Sequence, residues 1–301
     1  MESYHIPVLL KESVDALNIN PSGVYVDATL GGGGHTREIL SRLGKDGHLL
    51  VFDRDREALA NAPKDPRIHV VHHNFRFVQN FLRYHGFEHA DGILADLGVS
   101  SHQFDTSERG FSFRFDAILD MRMNDRSERT ARDLLNQYSE EELETLLRLY
   151  GEVDNSRRIA SMIVNARAKA PISTTGDLTR AIEKALPKLA EHKFLAKIYQ
   201  ALRIEVNGEM ESLAAFLQGA ARSLCPGGRL SVITYHSLED RMVKNFIRSG
   251  NIAGKDERDA FGRSSAPLKA INKKAALPSE SEIASNTRAR SAKLRIAEKI
   301  K

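Results

Sequence analysis

The sequence predicts a parallel α/β fold of the doubly wound type, interrupted by an all-helical insertion. Three observations lead there. The β-branched run Val24-Tyr25-Val26-Asp27 leads into Gly31-Gly32-Gly33-Gly34 and then a helix-compatible stretch from Thr36 to Leu43. Apolar strand-like and helical runs alternate as far as Asp96. From Arg129 to about Glu191 the apolar residues recur only at helical spacing, and a strand pattern returns at Arg229. A strand, a glycine turn and a helix start hold nucleotide-like ligands at the edge of a parallel sheet. Glycine suits the turn because a Cβ would keep a ligand off the backbone and because such turns often need positive φ.

Taken in order, Val8 to Leu17 has the pattern of an amphipathic helix and Val24 starts the first strand. After the glycines and their helix, His48-Leu49-Leu50-Val51-Phe52 forms a second strand ending at Asp53. A helix near Ala58 precedes the strand Ile68-His69-Val70-Val71, and Phe75 to Tyr84 is helical. Gly92-Ile93-Leu94-Ala95 is a buried strand that stops at Asp96. Residues 97–126, rich in glycine, serine and charge, read as a long loop. In the helical block, Ser139 and Glu142 form a capping box ahead of Leu143, Leu146 and Leu147. Ile159, Met162, Ile163 and Ala166 make an apolar stripe, and Thr174 or Thr175 caps a helix containing Leu178, Ile182 and Leu186. A helix through Leu213, Leu217 and Ala221 leads to the turn Leu224-Cys225-Pro226-Gly227-Gly228 and the strand Arg229 to Tyr235. His236 to Asp240 caps a helix through Val243 and Phe246, residues 249–288 read as irregular, and Ser291 to Ile300 is a last edge strand. The expected organisation is a sheet domain in two parts, 1–103 and 207–301, around a helical domain, 104–206.

Composition narrows the function. A chain of 301 residues with 41% hydrophobic and 28% charged residues is ordinary globular material, with no apolar run near membrane-spanning length. The Met1-Glu2-Ser3-Tyr4-His5 start lacks the charged and apolar regions of a signal peptide, and the lone Cys225 excludes an internal disulfide and a thiolate zinc cluster. A cytoplasmic protein without a metal is expected. Residues 241–301 carry 15 Lys/Arg against 6 Asp/Glu, whereas the first 240 carry 29 against 34. That basic end suits a phosphate-backbone partner or, equally, a solvated tail.

The glycine segment also discriminates among ligands. The dinucleotide fingerprint needs glycine at its sixth position, which is Thr36 counting from Gly31 and Arg37 counting from Gly32. A P-loop fails because no Gly-Lys-Ser/Thr follows. Asp53 falls 20 residues after Gly33, where a carboxylate would grip a ribose diol. A ligand with a ribose and no pyrophosphate remains, and S-adenosylmethionine fits that description. Asp27, His35, Asp53, Asp96, Ser100, Ser101, Gln103 and His236 should converge at the carboxyl edge. Asp105 to Phe113 offers aromatics, an arginine and serines in a presumed loop, suited to base stacking and phosphate contact.

The residues resemble, in order, those of the bacterial 16S rRNA cytosine-N4 methyltransferase family, also called RsmH or MraW. The resemblance runs through His5-Ile6-Pro7-Val8-Leu9-Leu10, Asp27 to His35, Asp53-Arg54-Asp55 and Ala95-Asp96-Leu97-Gly98-Val99-Ser100-Ser101. It continues through Arg109-Gly110-Phe111-Ser112-Phe113, Leu119 to Met123, Gln200 to Ile204, His236 to Arg241 and Arg288 to Arg295. It implies a class I, Rossmann-like S-adenosylmethionine-dependent methyltransferase sheet with a helical, substrate-recognising insertion. It also implies cofactor contacts at Gly33, Gly34, His35, Asp53, Phe75, Asp96 and Gln103, and a substrate cytosine in the decoding centre of 16S rRNA within the small ribosomal subunit. The chain departs from the family's pattern at Ala117-Ile118, Thr287 and residues 192–199, which bear on the RNA-facing parts rather than the cofactor site.

The cytosine amine is a poor nucleophile because its lone pair is delocalised into the ring. Catalysis therefore needs alignment and a hydrogen-bond acceptor for the N–H. Asp96, or the backbone carbonyls of its turn, is the first candidate and His236 the second. The alternative is a protein of the same fold that binds RNA or assists ribosome assembly without turnover. A nicotinamide oxidoreductase is disfavoured by the failed fingerprint.

Overall fold

The computed structural model describes residues 7–256, 262 and 265–300, apart from the side chain of Ser101. The start of the chain at 1–5, and His5 and Ile6 of the quoted pattern, lie outside the described residues. The chain forms two compact units, Met1–Gly98 with Met210–Lys301, and Val99–Glu209.

The first unit opens with α1 (Leu10–Asp15), which is shorter than the helix expected from Val8. Leu9 sits at φ 52° in the left-handed region, so the helical turn begins only after it. Then come β1 (Val24–Asp27), α2 (Gly34–Arg42), β2 (His48–Asp53), β3 (Ile68–His72), α3 (Val78–Tyr84) and β4 (Ala90–Asp96). The segment near Ala58 is a 3₁₀ turn, Ala58–Asn61, rather than an α-helix. β2 is a continuous apolar run because both faces of a parallel sheet are covered; Leu49, Leu50, Val51 and Phe52 are all buried.

The second unit contains α4 (Ser101–Asp105), α5 (Ala131–Gln137), α6 (Glu140–Gly151), α7 (Ser156–Arg167), α8 (Thr175–Ile182) and α9 (Glu191–Asn207). Four of these helices start in capping boxes, at Ser100/Gln103, Thr130/Asp133, Ser139/Glu142 and Thr174/Asp177. Each places a hydroxyl on an otherwise orphaned N–H of the first turn. Their apolar stripes close on one core that includes Leu134, Leu146, Ile163, Leu178 and Ile198.

Residues 97–126 are not the exposed loop that their composition suggested. Phe111, Leu119, Met121 and Met123 are buried in the core of the helical unit. Backbone pairing fixes the path: the Met121 N–H donates to Arg109 O at 3.0 Å, and Ile118 bridges Thr174. Gly110, at φ 69°, lets the chain cross itself, because a Cβ there would lie 2.2 Å from Ile118 O. With Phe111 and Ser112 buried, this stretch is not an open base-stacking loop.

The chain returns to the first unit through α10 (Glu209–Ser223), β5 (Leu224–Thr234), α11 (Ser237–Ser249), β6 (Leu268–Ala270), α12 (Glu280–Ser285) and β7 (Lys293–Lys299). The sheet order is β3-β2-β1-β4-β5-β7-β6. β1 to β5 pair in parallel, whereas β7 is antiparallel to both β5 and β6. This is the expected Rossmann-like class I sheet, with the helical unit inserted between β4 and β5.

Three expectations for this second part need correction. The Leu224 to Gly228 stretch belongs to β5, with an irregularity where Ala90 and Gly92 pair across it. The irregular stretch 249–288 contains β6 and α12. β7 is therefore an interior strand, because β6 covers its outer side. Asp240 on α11 anchors it: Arg295 Nε donates to Asp240 Oδ1 at 2.6 Å, and Lys293 Nζ lies 3.4 Å from Oδ2. Arg229 pairs with Glu298 across the strands at 2.9 Å. Part of the basic excess at this end thus serves the sheet itself.

Candidate active site

The order of the strands places the site. The chain runs outward from β1 to β2 and β3, then crosses back to β4 on the other side of β1. At such a switch point the connections leave in opposite directions and open a crevice beyond the carboxyl ends. Asp27 ends β1, Asp53 ends β2, Asp96 ends β4, and Tyr235 follows β5.

The glycine turn is tied down from both sides. Its Gly31 N–H donates to Asp53 Oδ2 at 2.9 Å, while Asp53 Oδ1 accepts from the Asp55 N–H at 2.8 Å. Asn61 Nδ2 donates to Gly31 O at 2.8 Å, and Arg37 Nη1 to Gly32 O at 2.8 Å. Gly33 caps α2 at φ 76°, and a Cβ there would meet Asn61 O at 2.8 Å. On Gly34 a Cβ would lie 2.0 Å from Pro7 Cγ. Glycine at these two positions is thus demanded by the protein's own packing. A Cβ on Gly32, in contrast, would meet nothing within 4 Å among the described residues. The turn therefore presents open backbone to a ligand, beside a carboxylate at the β2 tip, which fits a ribose-bearing cofactor.

Asp27 lies beneath the turn. It accepts from Thr36 Oγ1 at 2.6 Å and from the Thr29 N–H at 3.1 Å. Burial pushes its carboxyl up to about 7, against those two hydrogen bonds. Thr29 Oγ1 in turn accepts from the Asp96 N–H at 2.7 Å, which locks the β4 tip to the glycine segment.

Asp96 is the most distinctive group here. Its side chain is 22% exposed. Oδ1 accepts from the Tyr235 hydroxyl at 2.7 Å, and Oδ2 has His35 Nδ1 at 3.8 Å, beyond hydrogen-bond reach. Burial raises the carboxyl to about 7; the Tyr235 bond opposes that, and the charges of Asp27 and Glu239 add to it. Tyr235 is itself pushed upward by burial and by the Asp96 charge, so its hydroxyl stays protonated and donates. Gly98 leaves room for this ring, since a Cβ there would lie 3.3 Å from Tyr235 Cδ2.

Sequence reasoning did not find Tyr235. The signal was a phenol immediately after the strand that neighbours β4, but using it requires knowing that β4 and β5 pair.

The other candidate residues fall in several places. His35 is buried on the first turn of α2, with Nε2 3.2 Å from Val8 O. His236 caps α11: its Nδ1 accepts from the Glu239 N–H at 3.4 Å, and its Nε2 lies 3.2 Å from Glu239 Oε1. Phe75 follows β3, its ring edge-on to Phe216 with centroids 5.1 Å apart. Ser100, Ser101 and Gln103 belong to the helical unit, where Ser100 and Gln103 form the capping box of α4. The structure therefore brings Asp27, His35, Asp53 and Asp96 together with Tyr235 in the sheet unit.

A family model described as the MraW methylase family matches residues 2–300. The chain belongs to that family. Among the relatives of this methylase is the ribosomal RNA small subunit methyltransferase H of Bacteroides thetaiotaomicron, 59% identical over 99% of this chain and 98% of the relative. The protein of the same name from Flavobacterium johnsoniae is 54% identical over 99% and 98% of the two chains. A solved structure described as a putative rRNA-methylase from Clostridium thermocellum covers 98% of this chain and 100% of its own, with a TM-score of 0.45 and 15% identity. Among the described residues of this MraW methylase, no helix is long and apolar enough to cross a membrane.

Proposed function

We propose that this methylase transfers a methyl group from S-adenosylmethionine to N4 of a cytosine in the decoding centre of 16S ribosomal RNA, within the small ribosomal subunit. The family match and the high identity to ribosomal RNA small subunit methyltransferases support the reaction class and the substrate. The observation that bears most on the chemistry is the Asp96 carboxyl, half of it held by Tyr235 and half directed elsewhere, at the switch point of the sheet.

The open backbone at Gly32, with Gly33, Gly34 and the first turn of α2 including His35, forms one wall for the cofactor. Asp53 receives the ribose hydroxyls and Phe75 flanks the adenine; the helical unit recognises the RNA. The cofactor, when bound, supplies an electrophilic methyl on a positively charged sulfur. The rest is done by side chains. Asp96 Oδ2 accepts a hydrogen bond from the cytosine amine, which localises electron density on N4 and aligns its lone pair. Transfer would break the sulfur–methyl bond, leaving a neutral thioether, and form the bond to N4; Asp96 would take the surplus proton from the nitrogen to leave a neutral methylamino group. A carboxyl near 7 is suited to that exchange at neutral pH. His236, engaged at the N-terminus of α11, ranks second. The target base must be unpaired or flipped outward to reach the strand tips.

The test is methyl transfer from labelled S-adenosylmethionine to small subunits lacking the modification, with nucleoside analysis of the product. N4-methylated cytidine is expected from the parent protein, and none from Asp96→Ala at a cofactor concentration that saturates the variant. Full turnover by Asp96→Ala would remove the acceptor assignment. Absence of transfer by the parent protein, with cofactor bound, would overturn the reaction.

A further inference from the structure

Between Asp65 and Glu88 the chain has no acidic residue, yet it carries three arginines, four histidines and five Phe/Tyr. This stretch comprises the outermost strand β3 and the helix α3 behind it. Its rings form a continuous run along the sheet margin. His73 lies 4.8 Å from Phe77 and 5.3 Å from Phe81, and Phe81 is followed by Tyr84 at 6.3 Å. Tyr84 continues to His85 at 5.2 Å. Tyr84 is 80% exposed and Phe77 37%, while Phe81 packs edge-on against the buried Phe52 of β2 at 5.7 Å and anchors the run. The Arg76 guanidinium sits 5.3 Å from the Phe77 centroid, and Arg83 is exposed in the last turn of α3.

Large aromatics in water, a cationic rim and no nearby carboxylate in sequence suit a polyanion with flat faces. Base–aromatic stacking tolerates any sequence because every base has a π-face, and arginine satisfies the phosphates between the bases. A second copy of the chain is a poorer occupant. Pairing β3 with itself would bring together two margins that each carry the Arg76 and Arg83 cations, Arg67 being held by Asp65 at 2.8 Å. The run also starts at the right place, because His73 follows directly on the β3 tip, one end of the strand edge that carries Asp53 and Asp96. From there α3 extends about 10 Å along the margin.

We propose that the edge formed by β3 and α3 is a stacking surface for an unpaired stretch of the RNA substrate next to the target nucleotide. The proposal rests on the RNA-substrate reading and extends it to a second contact outside the cofactor crevice.

The experiment measures KM and kcat on small subunits lacking the modification, and the salt dependence of RNA binding. The variants are Tyr84→Ala, Tyr84→Phe and the double Arg76→Gln/Arg83→Gln. Tyr84→Ala should raise KM by about 5- to 160-fold, the range for one base-stacking ring, with kcat and cofactor affinity unchanged. Tyr84→Phe keeps the ring and should behave as the parent protein does. The double arginine variant should make the slope of log affinity against log salt shallower by about 1.4, as two phosphate contacts on a single strand would. Unchanged KM and salt slope in these variants would overturn the proposal. So would a change of sedimentation from dimer to monomer at constant KM, which would assign the edge to self-association. A parent protein that methylates no RNA would instead sink the substrate reading, so the two failures are distinguishable in one assay.

Discussion

Asp96 shows what a fold does to a single carboxyl. Withdrawal from water disfavours its charged form, while the Tyr235 hydroxyl favours it by donating to Oδ1. Activity that needs the carboxylate is present above the group's pKa and lost as the pH falls through about 7. kcat/KM should accordingly rise between pH 6 and 8 and level off above. Removing the donor in Tyr235→Phe deprives the charged form of a bond, so the acid limb should move up by about 1 pH unit. The variant would then be several-fold slower at pH 7 and close to normal at pH 9. A pH–rate profile superimposable on that of the parent protein would show that the phenol does not support Asp96. The same raised values act on stability with the opposite sense. Asp27 and Asp96 hold their protons up to about 7 in the fold, against 3.8 unfolded, so their contribution to stability is favourable at the acid end of that window and declines as the pH rises through it.

Among the elements, those with strong periodicity were legible in the sequence and those shaped by tertiary contact were not. β1, β2, β4 and the helices α6, α7, α8, α10 and α11 follow from apolar spacing and caps, because a buried strand or an amphipathic helix imprints its period on the chain, whereas α9 and α12 were not read. Asp53 and Asp96 were legible for the same reason, as carboxylates ending strands that could be counted. The 97–126 segment was misread because its glycine, serine and charge masked the period-two alternation of Leu119, Met121 and Met123, which are buried beside the self-crossing at Gly110. β6 has only Leu268–Ala270, too short to show alternation, and without it β7 looks like an edge. Gly110→Ala tests the crossing. The left-handed φ and the 2.2 Å approach should together cost about 2–4 kcal/mol, lowering the urea midpoint, while Gly86→Ala, with open space around it, should lose only about 1 kcal/mol to backbone strain. Equal losses in the two variants would show that the crossing is not the critical contact. Asp240→Ala tests the anchor of β7. It strands Arg295, buried but for a small fraction, and should cost about 1–3 kcal/mol by chemical denaturation.

For the molecule as a whole, the glycine turn is a convergence of distant parts of one chain. A ligand that binds only the folded form stabilises it by mass action. A hundredfold excess of S-adenosylmethionine over its Kd should therefore raise the unfolding free energy by about 2.7 kcal/mol. In Gly32→Leu, which fills the open face of the turn, that gain should vanish while the ligand-free melting temperature changes little; a full ligand-induced rise in that variant would move the cofactor elsewhere.

The floor of the turn has a further consequence. Pro7 packs on Gly34 and Val8 O meets the His35 ring, but Leu9 is held in turn by Glu282 at 2.7 Å and by the cluster containing Ala289, Ala292 and Leu294. At synthesis rates of about 5–20 residues per second, some 13–50 s separate the emergence of the glycines from that of the residues that seat them. Throughout that interval a growing chain carries the complete binding motif without its foundation. A chain interrupted before Glu282 thus carries the glycine motif without the contacts that seat it, and it should show no cofactor-dependent rise in melting temperature.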